Sequence, residues 1–146
     1  MLAIWDMDSR KQVNHYHMEY QACSVSYNNS GSHFLVGCRN GKTLIFEEDQ
    51  RDAENQHLTP LKDSLAGDRY KEIIEIKFSP NDKYLAVGGM DSRIFLYNGK
   101  TWEYLRTLKG HHSTINYIDF SVDGKYLQSS DSNCFLLYWD VEQGNQ

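Results

Sequence analysis

Residues 73–98 read IIEIKFSPNDKYLAVGGMDSRIFLYN, and residues 115–140 read INYIDFSVDGKYLQSSDSNCFLLYWD. Superposed at an offset of 42 residues, the two stretches agree in hydrophobic pattern, in the turn cluster after the first Phe and in the closing aromatic. A repeat of that period decides the fold class before any single residue is interpreted. A third copy, ACSVSYNNSGSHFLVGCRNGKTLIFE at 22–47, aligns without a gap 51 residues before the first. LAIWD at 2–6 matches the end of a further copy, because Trp5, Phe46, Tyr97 and Trp139 fall 41, 51 and 42 residues apart. On this reading the chain begins part-way through a unit.

Inside each copy the hydrophobic period is two. Val25 and Tyr27, Ile76 and Phe78, and Ile118 and Phe120 alternate with Ser, Lys or Asp, which is the pattern of strands with two unlike faces. Each first strand leads into a turn cluster (28–32, 79–83, 121–125), a short second run (34–36, 84–87, 126–128), another turn and a third run (42–46, 93–97, 135–139). Gly, Asn and Asp supply the left-handed and side-chain-bonded positions of such turns. Asn98-Gly99 predicts a two-residue hairpin into a fourth strand over Trp102 to Leu108. The unit is thus a four-stranded antiparallel meander of 42 residues with no helix.

Composition agrees with a folded domain and excludes several function classes. The 146 residues hold 19 aromatics, 10 Gly and only 2 Pro, with 40% hydrophobic and 24% charged residues and a mean hydropathy of -0.66. The longest apolar runs are about five residues, against the roughly 20 of a bilayer span, and residues 1–10, MLAIWDMDSR, lack the pattern of a secretion signal. Cys23, Cys38 and Cys134 are odd in number and show no CxxC spacing, so a reducing, cytoplasmic setting is expected. A net charge of -5 opposes non-specific binding to nucleic acid or to anionic membrane.

A unit of this length with Gly110-His111 at its start and Trp139-Asp140 at its end resembles a WD40 propeller blade. Trp5-Asp6, the FSPND and FSVDG turns and Asp91 six residues before Tyr97 fit the same pattern. The resemblance implies a His, Ser or Thr, Asp and Trp hydrogen-bond network inside each blade. Here the alignment sets Asn133 and Asn40 in the place of its Asp, and Tyr97 and Phe46 in the place of its Trp, so that no copy is complete. Residues 110–121 with 126–130 and 135–140, and 83–92 with 94–97, are similar to blades of the echinoderm microtubule-associated-protein-like family. That resemblance implies a protein-interaction scaffold with microtubule or tubulin association. It also implies flanking parts, a coiled coil, a basic linker and a second propeller, that this sequence does not contain.

The expected organisation is a partial, all-β propeller: residues 1–20 as the end of a blade, 21–66 and 72–109 as blades, and 110–146 as a blade lacking its outer strand. That makes thirteen strands, about three blades and a fragment, against the four to eight blades of a closed ring. Bare blade faces drive association. Self-association is therefore expected, with the strand after Asp6 completing the last blade of a second chain, unless missing blades of a longer chain do so.

No catalytic, cofactor or metal site is expected. Trp5, Asp6, Phe46, Asp91, Tyr97, His111, Trp139 and Asp140 recur at repeat spacing, so they read as structural. His15-x-His17 and His33 lack an evident further metal ligand, and no nucleotide-binding or hydrolase motif occurs. Residues 47–57, EEDQRDAENQH, form an acidic loop before an outer strand near 59–65. The rim of turns between second and third strands and between blades is the expected protein-binding surface. Arg39, Tyr70, Met90 and Arg93 are its candidate contacts by residue type. A generic WD40 scaffold without a cytoskeletal role is the alternative reading, and a propeller-hosted hydrolase a remote one.

Overall fold

The structure is a computed structural model and describes residues 1–48, 60–61, 65 and 71–146. Tyr70, the greater part of the acidic loop and most of the outer strand expected near 59–65 lie outside the described residues. Among the described residues every regular element is a β-strand. In chain order they are β1 (Leu2–Asp6), β2 (Lys11–Tyr16), β3 (Ala22–Tyr27), β4 (His33–Cys38), β5 (Thr43–Glu47) and β6 (Ile73–Phe78). The series continues with β7 (Tyr84–Gly89), β8 (Arg93–Asn98), β9 (Tyr104–Lys109), β10 (Ile115–Phe120), β11 (Tyr126–Asp131) and β12 (Leu136–Asp140). They pair antiparallel in four meanders: β1-β2, β3-β4-β5, β6-β7-β8-β9 and β10-β11-β12. Beside β5, the N–H of Leu61 donates to the Ile45 carbonyl at 2.7 Å, and that of Leu65 to Thr43 Oγ1 at 2.9 Å.

The register repeats with the sequence. β1 pairs with β2 as β8 pairs with β9, down to a shift between Ile4 and Trp5 that matches the one between Leu96 and Tyr97. These two strands are therefore third and fourth strands of a unit. Each first strand carries a bulge at its second residue, Cys23, Ile74 or Asn116, which has no partner on the second strand. The extra residue lets Ile115 and Ile118, three positions apart, approach the same neighbour, Gly88, although flat strands alternate strictly.

Core lies between successive sheets. Leu35 and Ile45 meet Ile73, Ile76 and Phe78. One boundary further on, Ala86, Ile94 and Leu96 meet Ile115, Ile118 and Phe120. Glycine makes each contact close: a Cβ at Gly37 would sit 2.5 Å from Ile73 Cγ2, and one at Gly88 would sit 2.8 Å from Ile115 Cγ2. The branched Ile at the start of one sheet thus fills a glycine socket in the sheet before it.

The Asn98-Gly99 signal misplaced the turn into β9. The connection runs over residues 99–103, and Trp102 lies in it at φ +64°, not in a strand. Asn98 acts as a side-chain turn former, its Oδ1 accepting the N–H groups of Lys100 and Thr101 at 2.9 and 3.0 Å. The same turn follows β1 and β12, where Asp6 Oδ1 accepts from Ser9 and Asp140 Oδ1 from Gln143. Arg10 and Gly144 hold the left-handed position that Trp102 holds here.

Candidate functional site

Turns between second and third strands emerge at one end of the sheets, and a single bond anchors each of them. The N–H groups of Arg39, Met90 and Ser132 donate to the carbonyls of Gln21, Glu72 and Thr114 at 3.0 Å or slightly less. Each acceptor directly precedes the first strand of its sheet. The loops that carry candidate contacts are thereby fixed to the strand next to them.

Glu72 brings two of the candidates together. Its carbonyl holds Met90, while its carboxylate takes Arg39 Nε at 3.6 Å and the Cys23 thiol at 3.2 Å. Arg39 also donates from Nη1 to Gln21 Oε1 at 3.1 Å, yet its side chain remains 64% exposed. Met90 is 47% exposed and Arg93 is exposed. A positioned guanidinium and an exposed thioether tied to one residue offer charge-assisted hydrogen bonding and an adaptable apolar surface. Arg93 shares the turn with Asp91, whose Oδ1 receives the Arg93 N–H at 3.4 Å. Tyr70, the fourth candidate, falls outside the described residues. Glu72 was not singled out from the sequence, since a lone acid before a strand looks like any solvated residue.

Reactive chemistry has little support in this cluster. Burial raises the Cys23 thiol pKa, and the hydrogen bond and charge of Glu72 raise it further, against the opposing effect of Arg39. A protonated thiol is a poor nucleophile. Among the described residues no group of three His, Cys, Asp or Glu side chains is arranged to hold a metal ion.

The repeat-spaced aromatics occupy unlike surroundings. Phe46 stacks on Phe34 at 4.9 Å and takes the edge of Tyr16 at 5.2 Å, and Tyr97 is buried against Tyr104 at 5.9 Å. Trp139 is 2% exposed, whereas Trp5 is 58% exposed. Around Trp139 the hydrogen-bond network is complete, which corrects the alignment that set Asn133 in the place of its Asp and left no copy complete. His111 Nδ1 pairs with Asp131 Oδ2 at 2.9 Å and His111 Nε2 with Ser129 Oγ at 2.7 Å; the indole Nε1 of Trp139 donates to the same Ser129 oxygen at 2.8 Å. Asp131, two residues before Asn133, supplies the carboxylate. Burial works against its charge, and hydrogen bonds from His111 and from the Phe135 and Asn133 N–H groups outweigh that, holding its carboxyl below the usual range.

A second cluster sits at the opposite end of the strands. A cleft of about 470 Å³ is lined by His33, Asp82, Lys100 and Trp102 among others. Asp82 bridges two sheets there, accepting from the Asn29 N–H and Nδ2 at 2.7 and 3.0 Å and from the Ser30 N–H at 2.9 Å. It does so at φ +55°, where the other copies place Gly31 and Gly124. That exchange of Gly for Asp is visible in the aligned turns and was the available sign of a special role. The cleft offers an exposed cation in Lys100 but no thioether, so it ranks behind the rim as a contact surface.

The family model described as "Echinoderm microtubule-associated protein second beta-propeller" matches residues 1–146. The 77 kDa echinoderm microtubule-associated protein of Lytechinus variegatus is 29% identical over 147 residues, covering 98% of this chain and 21% of that protein. Human echinoderm microtubule-associated protein-like 3 is 26% identical over 148 residues, covering 98% of this chain and 15% of its own length. The chain thus spans about a fifth or less of these relatives. Among solved structures, the RRP9 WD40 repeats superpose with a TM-score of 0.77 at 14% identity, over 88% of this chain and 38% of that one. A likeness at that identity carries the WD40 fold alone.

Proposed function

The chain belongs to the echinoderm microtubule-associated protein second β-propeller family, and from that premise we propose that it is a non-enzymatic interaction module whose rim contacts microtubules in the cytoplasm. The observation that supports this reading most is the Glu72-centred arrangement, which ties the exposed Arg39 and the turn of the exposed Met90 to one residue. Arg and Met are residue types enriched at protein contacts. The net charge of -5 opposes attraction to an acidic filament as a whole, so the contact has to rest on local cations such as Arg39 and Arg93. The same charge favours the second reading, a scaffold for a basic peptide or complex subunit without a cytoskeletal role.

Co-pelleting of the purified chain with polymerised tubulin, against tubulin-free controls, separates the two. The microtubule reading expects saturable pelleting that falls at least severalfold in the Arg39→Glu/Arg93→Glu variant. Pelleting that both substitutions leave unchanged removes the rim from the reading, and no pelleting of the chain at any accessible concentration removes its microtubule contact.

A further inference from the structure

The cleft between β3-β4-β5 and β6-β7-β8-β9 has a counterpart one sheet boundary further on, where the repeat allows comparison position by position. At that later boundary Lys83, in the turn after β6, reaches across to Glu142, in the turn after β12, with Nζ 3.1 Å from Oε1. The aligned positions at the earlier boundary are Ser32 and Lys100, and both line the cleft. A hydroxyl therefore stands where the partner of a cross-sheet ion pair would be. Lys100 is exposed and forms no ion pair among the described residues. Asn81, also in the cleft wall, stands where the later boundary has Asp123.

The hydrogen bonds of the cleft leave donors over. Asn81 Oδ1 accepts from Ser79 Oγ at 2.8 Å and from the Lys83 N–H at 3.0 Å, which fixes the amide with Nδ2 as its unpaired end among the described residues. Ser32 Oγ holds His33 Nδ1 at 2.8 Å, so Nε2 is the open end of the ring. An acceptor in the cleft selects the states in which Nε2 carries a proton. Asp82, the acid of the cleft, is already engaged by Asn29 and Ser30. Three unpaired donors, one of them a full cation, match an acceptor with a single negative charge. A dianion would set its second charge against Asp82. Trp102, 9% exposed, closes one wall with the His33 ring 5.5 Å from its own. At about 470 Å³ the cleft lies within the roughly 300–1,000 Å³ of ligand pockets and is larger than a lone carboxylate fills.

We propose that this cleft binds an acidic peptide segment, whose Glu or Asp carboxylate pairs with Lys100 and takes hydrogen bonds from Asn81 and His33 while a neighbouring residue lies against the open edge of Trp102. The ligand completes at this boundary the cross-sheet ion pair that Lys83 and Glu142 complete within the chain at the next. The site is at the opposite end of the strands from Arg39 and does not depend on the rim contact.

The test is an NMR titration of the isotope-labelled 146-residue chain with capped hexaglutamate, followed at the Trp102 indole N–H. The net charge of -5 opposes the approach of an acid, so the titration runs to about 1 mM. The expected result is a saturable shift that hexaglutamine does not produce. Lys100→Ala should weaken binding by about threefold or more, the scale of one partly screened ion pair. Ser32→Glu supplies the carboxylate from the chain itself and should abolish the shift; Lys100→Glu, at an exposed position, serves in its place if that variant melts early. The Arg39→Glu/Arg93→Glu variant should bind as the parent does. No shift, an equal shift with hexaglutamine, or glutarate or inorganic phosphate binding as tightly as the peptide overturns the proposal. A shift lost in the rim variant and kept in Lys100→Ala overturns it as well, because the carboxylate then sits at the rim.

Discussion

The hydroxyl of Ser129 sits between His111 and Trp139, accepting the indole N–H of Trp139 at 2.8 Å while facing His111 Nε2 at 2.7 Å. All three side chains are buried, so the oxygen cannot be removed without orphaning polar atoms that water does not reach. Ser129→Ala is expected to cost about 1–3 kcal/mol, the range for a buried group left unpaired. Urea denaturation measures it. A loss below about 0.5 kcal/mol would show that the network contributes little beyond the packing of the indole.

Gly88→Ala tests the socket. Its Cβ would meet Ile115 Cγ2 at 2.8 Å and Ile118 Cδ1 at 2.9 Å, and overpacking of that kind costs about 1–3 kcal/mol. Ile118→Val, which removes that Cδ1, also destabilises alone, by about 0.5–1.5 kcal/mol. In the double variant the two costs should fall short of their sum, because the trimmed side chain makes room. Strict additivity in a double-mutant cycle would argue that the two residues do not share the contact.

Asp82 sets a pH dependence. Burial disfavours its charge, but hydrogen bonds from Asn29 and Ser30 outweigh this, so its folded pKa lies below the ordinary 3.8. A depressed carboxyl pKa contributes stability that is fully present above the unfolded value and is lost as pH falls through the folded one. The parent should therefore exceed Asp82→Asn in stability at neutral pH, with the gap closing below about pH 3.8. Thermal melts across pH 3–7 read this out, and a gap independent of pH would remove the carboxylate from the explanation.

Arg39 should matter for contact and hardly for folding. Its ion pair with Glu72 is long, at 3.6 Å, and the side chain is largely exposed, so Arg39→Ala should shift unfolding by less than about 0.5 kcal/mol. A larger shift in urea denaturation would mean that the rim loop depends on the guanidinium for its structure, and a loss of microtubule binding would then not report a contact.

Strand order and the three in-register copies were legible because hydrophobic period and turn chemistry are local properties. What escaped was set by side chains choosing among near-equivalent neighbours. Asn133 and Asp131 are two residues apart on one turn, and only the position of the His111 ring selects the carboxylate. Asn98-Gly99 carries a short-hairpin signature, but Asn98 spends its oxygen on the two following N–H groups and widens the turn. Of the rim candidates, residue type pointed to Arg39 and Met90 but not to Glu72. A role as hub depends on three partners from β3 and from two separate turns meeting at one acid.

The bulges at Ile74 and Asn116 place the Ile before each of them in a glycine of the preceding sheet. Complementarity is therefore encoded across the seam, half of it at the end of one second strand and half at the beginning of the next first strand. If such chains diversify by recombination, a blade cut out along its own borders arrives with the wrong halves of two seams. The cassette that can be transplanted intact runs from the middle of one blade to the middle of the next.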